Sequence, residues 1–357
     1  MNVCFVLPQM LRKPIGGYKI VYEYANGLCQ RGYNVSILFL NENALIRFPL
    51  PGFLRKIAIH YFTQIEPSWF VLDQRVKKIS STDNVRNKLE KTDLAIATGA
   101  DTIYRTLNLF PKAKIFYFIQ GHETWLFPEE DLIKTYSLKT KNIVISNWLK
   151  KIVDNYSNEE SVILNNPIKT EKYKVNIGLD LRDKYSLGVL YHDSELKGFK
   201  DAFEAISKVK KKYPKIKVFM FGTSKPDFAI PKWVEFTLNA SQSQTIDIYN
   251  KVSIFVCATV KEGFGLTGLE AMACGAALVS TSYEGVKEYA VHGYNALLSP
   301  VRDADALSEN IIRLLKDDEL RETIAQNGIN TAEGFSFKNA VDKLEKIINE
   351  QKEKTEM

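Results

Sequence analysis

The segment from Lys261 to Gly275, KEGFGLTGLEAMACG, combines glycines with two carboxylates. Gly263, Gly265 and Gly268 have the G-x-G-x-x-G spacing of a turn that binds the pyrophosphate of a dinucleotide. The preceding VSIFVCAT predicts a strand, and the following LEAMACG predicts a short helix, which is the context that such a turn requires. The first hypothesis is therefore a phosphorylated ligand, and NAD is one candidate.

The carboxylates of this segment argue against NAD. Glu262 directly precedes the glycines, where its negative charge would repel a pyrophosphate. Its carboxylate oxygens would instead accept hydrogen bonds from sugar hydroxyls. Glu284 stands about where a dinucleotide fold has a ribose-binding carboxylate, but the segment belongs to the fourth or fifth βα unit of its domain. Glu270 has two interpretations, a ligand contact or the end of a capping box, Thr267–Glu270. The pattern favours a sugar over nicotinamide as the ligand.

Two further turns have residue types that suit an anion. The predicted first strand, NVCFVLP, leads to Gly16 and Gly17, which directly precede a helix and let the backbone approach a phosphate closely. In the second half, YHDSELKGFKDAF places Lys197 and Gly198 after a strand in the same way. The alternatives are a plain βα turn and a solvated lysine. Because one such turn occurs in each half, the two together favour phosphate binding more than either turn alone.

Length and composition indicate a globular protein of about two domains. The chain has 357 residues, of which 45% are hydrophobic and 25% are charged. Its four cysteines have no metal-binding spacing, so we predict reduced core thiols and no metal site. No stretch approaches the ~20 apolar residues of a membrane span, and the N-terminus lacks a basic segment before its short apolar run. We therefore predict a cytoplasmic location.

Strand-like and helix-like segments alternate along most of the chain, which predicts an α/β protein with parallel sheets. The predicted strands are NVCFVLP, NVSILFL, DLAIATG, KIFYFIQ, NIVIS, SVILN, SLGVLYH, KIKVFMFG, WVEFTL, SIFVCAT, AALVST and NALLSP. We predict doubly wound, Rossmann-like domains at 1–165 and 186–335, a linker at 166–185, and a final helix at 336–357 that packs back across the linker. Ligands of such sheets bind beyond the carboxyl ends of the strands, so we expect the site in a cleft between the domains.

Positive charge is concentrated in the first domain. Residues 1–165 carry 21 Lys and Arg against 15 Asp and Glu, whereas residues 166–357 carry 27 of each. The segment RFPLPGFLRKIAIHYF, residues 47–62, mixes basic with aromatic and aliphatic residues, which suits the interface of an anionic membrane. The alternative is a helix that packs on its own domain. We predict an anionic membrane surface as a partner of the first domain, and no nucleic acid.

Glu262–Gly275 resembles the E-x7-E segment of retaining nucleotide-sugar glycosyltransferases of family 4, which have the GT-B fold. The resemblance extends through KGFKDAFEAI upstream and EGVKEYAVHGYNALLSPVRDADALSENI downstream. In the first domain the glycine pair at 16–17, SNWLKK at 146–151 and Asn-Pro at 166–167 continue it. It covers nearly the whole chain and is stronger in the second domain. The fold that it implies is GT-B, with two Rossmann-like domains facing across a cleft.

The resemblance implies roles for individual residues. Glu262 would hold the hydroxyls of the donor sugar near the reacting carbon, and Glu270 would bind the ribose. The backbone would contribute N–H groups to the sugar and phosphates at Phe264, Gly265, Leu266 and Thr267, while Gly16, Gly17 and Lys197 would stabilise the leaving diphosphate. His122 of FIQGHETW would lie near the acceptor and the donor sugar, with Glu123 as its rival and an ordinary loop histidine as the alternative.

One position departs from the family pattern. His192 stands five residues before Lys197, where the family often has an arginine for the diphosphate. A neutral imidazole supplies less charge than a guanidinium, so the diphosphate would depend on Lys197 and helix N-termini, or on protonated His192.

The resemblance implies transfer of a hexosyl or deoxyhexosyl unit from a nucleoside-diphosphate sugar to a glycan or lipid-linked glycan, with retention of anomeric configuration, in cell-surface polysaccharide synthesis. It implies no cofactor. Three alternatives remain: a nucleotide-sugar epimerase of the same fold, a non-catalytic protein that binds sugar nucleotides, and an NAD-dependent dehydrogenase.

Overall fold

The structure is a computed structural model that describes residues 1–48, 50–83, 85 and 89–356. It divides into two compact units, which we call the N-terminal unit (Met1–Asn165 with Ala340–Met357) and the C-terminal unit (Asn166–Asn339). Residues 166–185 therefore belong to the C-terminal unit, and most of the final helix belongs to the N-terminal unit.

In the N-terminal unit, the described residues form one parallel sheet in the order β3-β2-β1-β4-β5-β6-β7. Its strands are β1 (Asn2–Leu7), β2 (Asn34–Phe39), β3 (Lys77–Ser80), β4 (Leu94–Ala97), β5 (Lys114–Ile119), β6 (Lys141–Val144) and β7 (Val162–Ile163). The helices described there are α1 (Gly16–Gln30), α2 (Gly52–Ile65), α3 (Ala100–Leu109), α4 (Glu129–Tyr136) and α5 (Asn147–Asp154). The strand order reverses direction at β1, so the turns after β1 and β4 flank a switch point where such sheets bind ligands.

The C-terminal unit has a second parallel sheet, in the order β10-β9-β8-β11-β12-β13. Its strands are β8 (Ser186–Tyr191), β9 (Lys217–Gly222), β10 (Val234–Leu238), β11 (Ile254–Cys257), β12 (Ala277–Thr281) and β13 (Ala296–Ser299). Its helices are α6 (Phe199–Lys212), α7 (Gln242–Lys251), α8 (Leu266–Ala273), α9 (Ala304–Lys316) and α10 (Asp318–Glu333), and α11 runs over Phe337–Glu356. Here the switch point lies between β8 and β11.

Buried apolar residues form the core around each sheet. Strands β4, β11 and β12 are buried along their whole length, as expected for central parallel strands covered on both faces. Helix α6 places Ala202, Ile206 and Val209 in the core of the C-terminal unit. The four cysteines are buried free thiols. These cores fix the strand ends, and hence the turns that carry the candidate site.

A buried arginine ties the chain before β8 to the rest of the C-terminal unit. Its guanidinium donates to the carbonyls of Ile177, Val252 and Cys274, at 2.9, 3.0 and 2.6 Å. This residue, Arg182, lies in the segment predicted as a linker. Burial lowers its pKa to about 10, yet that value leaves it charged at neutral pH. The segment is thus an ordered part of the C-terminal unit.

The predicted α/β class with two Rossmann-like sheets is confirmed, and all of the predicted strands coincide with strands of the structure. Strand β3, KKIS, was not predicted, because half of its residues are lysines and its apolar signal is short. Among the described residues, no helix is both long enough and apolar enough to cross a membrane.

Candidate active site

Two turns meet at the carboxyl ends of β8 and β11. The carbonyl of Leu196 accepts hydrogen bonds from the backbone N–H groups of Val260 and Lys261, at 2.8 and 3.3 Å. Gly198, with φ of 64°, lies so close to β11 that an added Cβ would be 1.8 Å from the carbonyl oxygen of Ala258. Only glycine fits this approach. The contacts bring the first βα turn of the unit against the loop that leads to Glu262.

This approach pairs the two charged residues that the sequence singled out. Lys197 Nζ donates to Glu262 Oε1 at 2.6 Å, and the two side chains are only 27% and 26% exposed. The second oxygen, Oε2, is shielded from solvent and has no hydrogen-bond partner within the described part of the chain. A carboxylate in this state retains an unused acceptor. The pair therefore offers an ammonium and a hydrogen-bond acceptor at one place.

Gly265 of the E-G-F-G loop serves close packing. Gly265 has φ of 96°, and an added Cβ would lie 1.8 Å from the hydroxyl oxygen of Tyr283. The hydroxyl of Tyr289 donates to the carbonyl of Gly265 at 2.6 Å. Phe264 is buried, with its ring 5.5 Å from that of Tyr289, so its side chain faces the core. A ligand at this loop would meet backbone groups and not the phenyl ring.

Helix α8 begins directly after this loop. Gly265 occupies its N-cap position, and no side chain caps the first turn. The backbone N–H groups of Leu266 and Thr267 belong to that turn, where helical N–H groups have no partner within the helix. Such a terminus attracts anions and hydroxyl oxygens.

The capping-box interpretation of Thr267–Glu270 is wrong. The helix starts at Leu266, so Thr267 lies inside it and not at its cap. Glu270 is buried and accepts a hydrogen bond from the hydroxyl of Tyr249 at 3.3 Å. Burial and the neighbouring charge of Glu270 raise the pKa of Tyr249. A neutral, donating tyrosine thus fixes one oxygen of this carboxylate.

His192 lies just past the end of β8. Its Nδ1 accepts a hydrogen bond from the backbone N–H of Ser194 at 2.9 Å, which requires an unprotonated Nδ1. Burial and the positive charge of Lys197 lower the pKa of His192. Both observations favour a neutral imidazole with its proton on Nε2. Of the two alternatives raised by the sequence, protonated His192 is therefore the disfavoured one.

In the N-terminal unit, Gly16 and Gly17 open helix α1, and no side chain caps it. An added Cβ at Gly17 would lie 3.3 Å from Oε1 of Gln120, whereas at Gly16 it would meet nothing within 4 Å. Oε1 of Gln120 is itself buried without a hydrogen-bond partner among the residues described. The glycine pair thus leaves the backbone open at Gly16, beside a buried acceptor that follows β5.

His122 is buried and has neighbours at both ring nitrogens. Nδ1 lies 3.1 Å from the hydroxyl oxygen of Tyr136, and Nε2 lies 3.4 Å from Oε1 of Glu129. Both neighbours come from α4, the helix that follows the turn. The ring is thereby fixed in orientation, and Glu129 is the group that a ligand would have to displace to reach Nε2.

Glu123 is held differently. Its Oε2 accepts a hydrogen bond from the backbone N–H of Ala100 at 2.7 Å, at the start of α3. Burial, with a smaller contribution from the charge of Asp101, raises the pKa of Glu123 from 4.5 to about 7. A carboxyl with such a pKa exchanges a proton near neutral pH.

The structure thus groups the predicted residues by unit. Lys197, His192 and Glu262 lie together in the C-terminal unit, with the start of α8 beside them. Residues that sequence reasoning missed are the Leu196 carbonyl, which joins the two turns, and the tyrosines at 249, 283 and 289, which support the loop and Glu270. No motif spacing marks them, because backbone contacts and packing partners leave no pattern in one sequence. Across the described residues, no group of three His, Cys, Asp or Glu could hold a metal ion.

The raised pKa of Glu123 makes stability depend on pH. The folded chain holds this proton more tightly than the unfolded chain, so its contribution is full below pH 4.5 and is lost as pH rises to about 7. Glu123→Gln should remove this loss and stabilise the protein above pH 7, relative to wild type, by about 2 kcal/mol. Thermal unfolding across this pH range measures it. Glu130→Gln, an exposed control, should follow wild type, and an unchanged slope in Glu123→Gln would contradict the assignment.

Residues 169–331 match the model of the family Glycosyl transferases group 1. The capsular polysaccharide biosynthesis glycosyltransferase CapM of Staphylococcus aureus is 27% identical over 233 residues, which is 59% of this chain and 61% of the relative. The N,N'-diacetylbacillosaminyl-diphospho-undecaprenol alpha-1,3-N-acetylgalactosaminyltransferase of Campylobacter jejuni is 37% identical over 92 residues, 26% of this chain and 24% of the relative. The matches thus span about a quarter to three fifths of these relatives.

Solved structures match nearly the whole chain at low identity, which establishes the fold. HepE of Anabaena, solved with UDP-glucose, has a TM-score of 0.74 at 14% identity and covers 98% of this chain and 100% of its own. Sucrose-phosphate synthase of Thermosynechococcus elongatus has a TM-score of 0.75 at 13% identity, with 98% of each chain covered. The fold of this chain is therefore that of these solved structures, and the match to the glycosyl transferases group 1 family covers residues 169–331.

Proposed function

We propose that the protein is a retaining glycosyltransferase of family 4. It moves a hexosyl or deoxyhexosyl unit from a nucleoside-diphosphate sugar to a hydroxyl of a glycan or lipid-linked glycan, in cell-surface polysaccharide synthesis. The observation that carries the proposal is the Lys197–Glu262 pair inside a group 1 glycosyltransferase domain. The names of the similar proteins support the acceptor class, since one acts in capsule synthesis and another on a diphospho-undecaprenol glycan.

When the donor binds, Lys197 and Glu262 give up their mutual contact and each takes a new partner. The diphosphate takes the ammonium of Lys197, and the hydroxyls of the sugar donate to Glu262, whose Oε2 already lacks a partner within the described chain. The N–H groups of Phe264, Gly265, Leu266 and Thr267 contact the sugar and phosphates from the start of α8. A nucleotide sugar satisfies both charges at once, so neither remains buried and unpaired.

Departure of the diphosphate is the step that the site assists. Lys197 and the helix N-terminus stabilise the negative charge that develops on the leaving oxygen. Neutral His192 contributes a hydrogen bond from Nε2 in place of the guanidinium that the family often has. Retention follows if the departing oxygen takes the acceptor proton on the face where the new bond forms. Glu270, fixed by Tyr249, binds the ribose.

The N-terminal unit has candidate residues of its own. Gly16 and Gly17 leave the start of α1 open to an anionic ligand such as a diphosphate. His122, whose ring is oriented by Tyr136 and Glu129, is the residue proposed for the acceptor. Glu123 is the rival, because its pKa of about 7 lets it accept a proton near neutral pH.

Three other activities make different predictions. An epimerase of this fold would convert nucleotide sugars without an acceptor, and a non-catalytic binding protein would bind them without turnover. A dehydrogenase would bind NAD, which would raise the melting temperature. Two glycines of the G-x-G-x-x-G spacing, Gly265 and Gly268, pack against Tyr283 and Tyr289, so these two need no dinucleotide role to explain them.

The test is turnover of UDP-, GDP-, ADP- and dTDP-hexoses by wild type and Glu262→Gln. We expect wild type to release nucleoside diphosphate from at least one donor. The variant should lose roughly a hundredfold in kcat, because an amide accepts weaker hydrogen bonds than a carboxylate and holds the sugar hydroxyls less firmly near the reacting carbon. Glu235→Gln, an exposed carboxylate of β10, is the matched control and should keep its activity. The anomeric configuration of the transferred sugar, read by NMR, tests retention.

Two results would contradict the proposal. One is full activity in Glu262→Gln. The other is a donor that is interconverted in acceptor-free buffer, which would favour the epimerase. A rise in melting temperature with NAD and with none of the nucleoside diphosphates would favour the dehydrogenase.

An anionic membrane is the further partner in this proposal, and α2 is its docking helix. The segment 46–65 exposes large apolar side chains along the helix and the turn before it: Ile46, Phe48, Leu50, Phe53, Leu54, Ile57, Tyr61 and Ile65. Such a concentration of exposed apolar residues indicates an interaction surface. The alternative, a helix buried on its own unit, accounts for the buried Ile59 and Thr63 but not for the exposed apolar residues.

Charge selects the membrane as the occupant. Between Glu42 and Glu66 the sequence has no acidic residue, while it has Arg47, Arg55 and Lys56. Basic and aromatic residues on one short helix suit the headgroup region of an anionic bilayer. A lipid-linked acceptor would then be near its enzyme.

Cosedimentation with vesicles tests this surface. Wild type should bind phosphatidylcholine–phosphatidylglycerol vesicles at low salt, and Phe53→Ser with Ile57→Ser should weaken binding about tenfold, because two exposed apolar anchors are lost. Val291→Ser, an exposed residue of the C-terminal unit, is the control. Equal binding to phosphatidylcholine alone, or no binding at all, would overturn the membrane assignment.

A further inference from the structure

Trp125 is unlike the other tryptophans of this chain. It is 63% exposed, whereas Trp69, Trp148 and Trp233 are half-buried. The indole of Trp69 donates to the carbonyl of Leu11, and Trp233 stacks on Phe203. Trp125 makes no hydrogen bond, ring stacking or cation contact with any described residue. The exposed indole therefore makes no contact within the described chain that would explain its presence by a contribution to the stability of the fold.

The exposed ring is nevertheless held in place. The turn after β5 is closed by hydrogen bonds from Thr124 N–H to the carbonyl of His122, at 2.8 Å, and from Leu126 N–H to the carbonyl of Glu123, at 2.9 Å. The ring packs against Gly121, where an added Cβ would lie 3.1 Å from Cη2 of the indole. A surface fixed in this way loses little conformational freedom when it binds a ligand.

The neighbours of the ring indicate the class of ligand. Glu123 lies in the same turn, and the Cβ position at Gly121 that is close to the indole is also 4.0 Å from Cγ of Glu123. Its Oε1 takes no part in the hydrogen bond to Ala100, so an apolar surface and a carboxyl oxygen occur side by side. A pyranose ring has matching properties: its C–H faces are apolar and pack on aromatic rings, while its hydroxyls bind carboxylates at the edge.

A membrane fits this turn less well than it fits α2. The first turn of α4, which follows directly, contains Glu129, Glu130 and Asp131. These charges would be repelled by anionic lipid, whereas a neutral sugar is indifferent to them. The acidic residues thus distinguish this surface in charge from the basic surface of α2.

We infer that Trp125 is the stacking platform for a pyranose ring of the acceptor glycan, and that it sets specificity for the acceptor. The inference rests on the proposed transferase function, because it assigns the bound sugar to the acceptor. Trp125 positions that sugar and takes no part in proton or charge transfer.

Fluorescence quenching tests the platform without any need for turnover. Acrylamide should quench the exposed indole of Trp125 in wild type, and a panel of methyl gluco-, galacto- and mannopyranosides with N-acetylglucosamine should shield it. Trp125→Phe should lack the quenchable component and show no shielding. If none of these sugars shields wild type, the platform is overturned.

Kinetics assign the platform to the acceptor. With a glycoside that shields Trp125 as the acceptor, Trp125→Ala should raise the KM for acceptor about tenfold, ~1.4 kcal/mol, and leave the KM for donor unchanged. Trp125→Phe should recover most of the loss, and Tyr294→Ala, an exposed aromatic of the C-terminal unit, is the control. An equal effect on donor KM, or none on acceptor KM, would overturn the inference. Sugar shielding without any turnover of nucleotide sugars would instead remove the proposed transferase function.

Discussion

The contact between Lys197 and Glu262 is the interaction on which the site depends. Two partly buried charges lie 2.6 Å apart because the Leu196 carbonyl joins their turns. Separating them costs free energy unless each finds a new partner. A free phosphate would satisfy only the ammonium, and a free sugar would serve only the carboxylate. Under the proposed function a nucleoside-diphosphate sugar satisfies both, so the pair would discriminate among ligands.

The backbone around this pair explains the glycines better than a dinucleotide would. Gly198 lets the first βα turn touch the end of β11, and Gly265 leaves room for the hydroxyl of Tyr283. Both have positive φ, which a side chain would strain. Gly265, one member of the spacing that resembles a dinucleotide fingerprint, is thus explained by packing. The tyrosines then lock the start of α8 in place, so its N–H groups remain aimed at one position.

Much of the fold could be predicted from the sequence, because central parallel strands are continuous apolar runs. Lys197 and Glu262 could be singled out by type and by position after strands. Their direct pairing could not, since it depends on the carbonyl of Leu196. The capping box at Thr267 failed because Gly265, with positive φ, is the N-cap, so the helix starts at Leu266, one residue before that threonine. The burial of His122 depends on partners from α4, which its own motif does not reveal.

The same reasoning explains the contrast between two surfaces of the N-terminal unit. Around α2, exposed apolar residues occur with basic ones, whereas the turn after β5 joins one fixed indole to carboxylates. Exposure alone does not distinguish a lipid partner from a sugar, but the neighbouring charges do. In the proposal, α2 contacts the lipid surface and the turn after β5 binds the sugar of a lipid-linked acceptor.

Calorimetric titration with UDP, GDP, ADP and dTDP tests the central claim most directly, because it isolates the diphosphate from the sugar. At least one nucleotide should bind wild type, and Lys197→Met should bind it about tenfold more weakly or worse, since the ammonium is the main cation for the phosphates. Lys200→Met, three residues away and exposed, should bind as wild type does. Equal affinity in Lys197→Met, or no binding to wild type, would contradict the account.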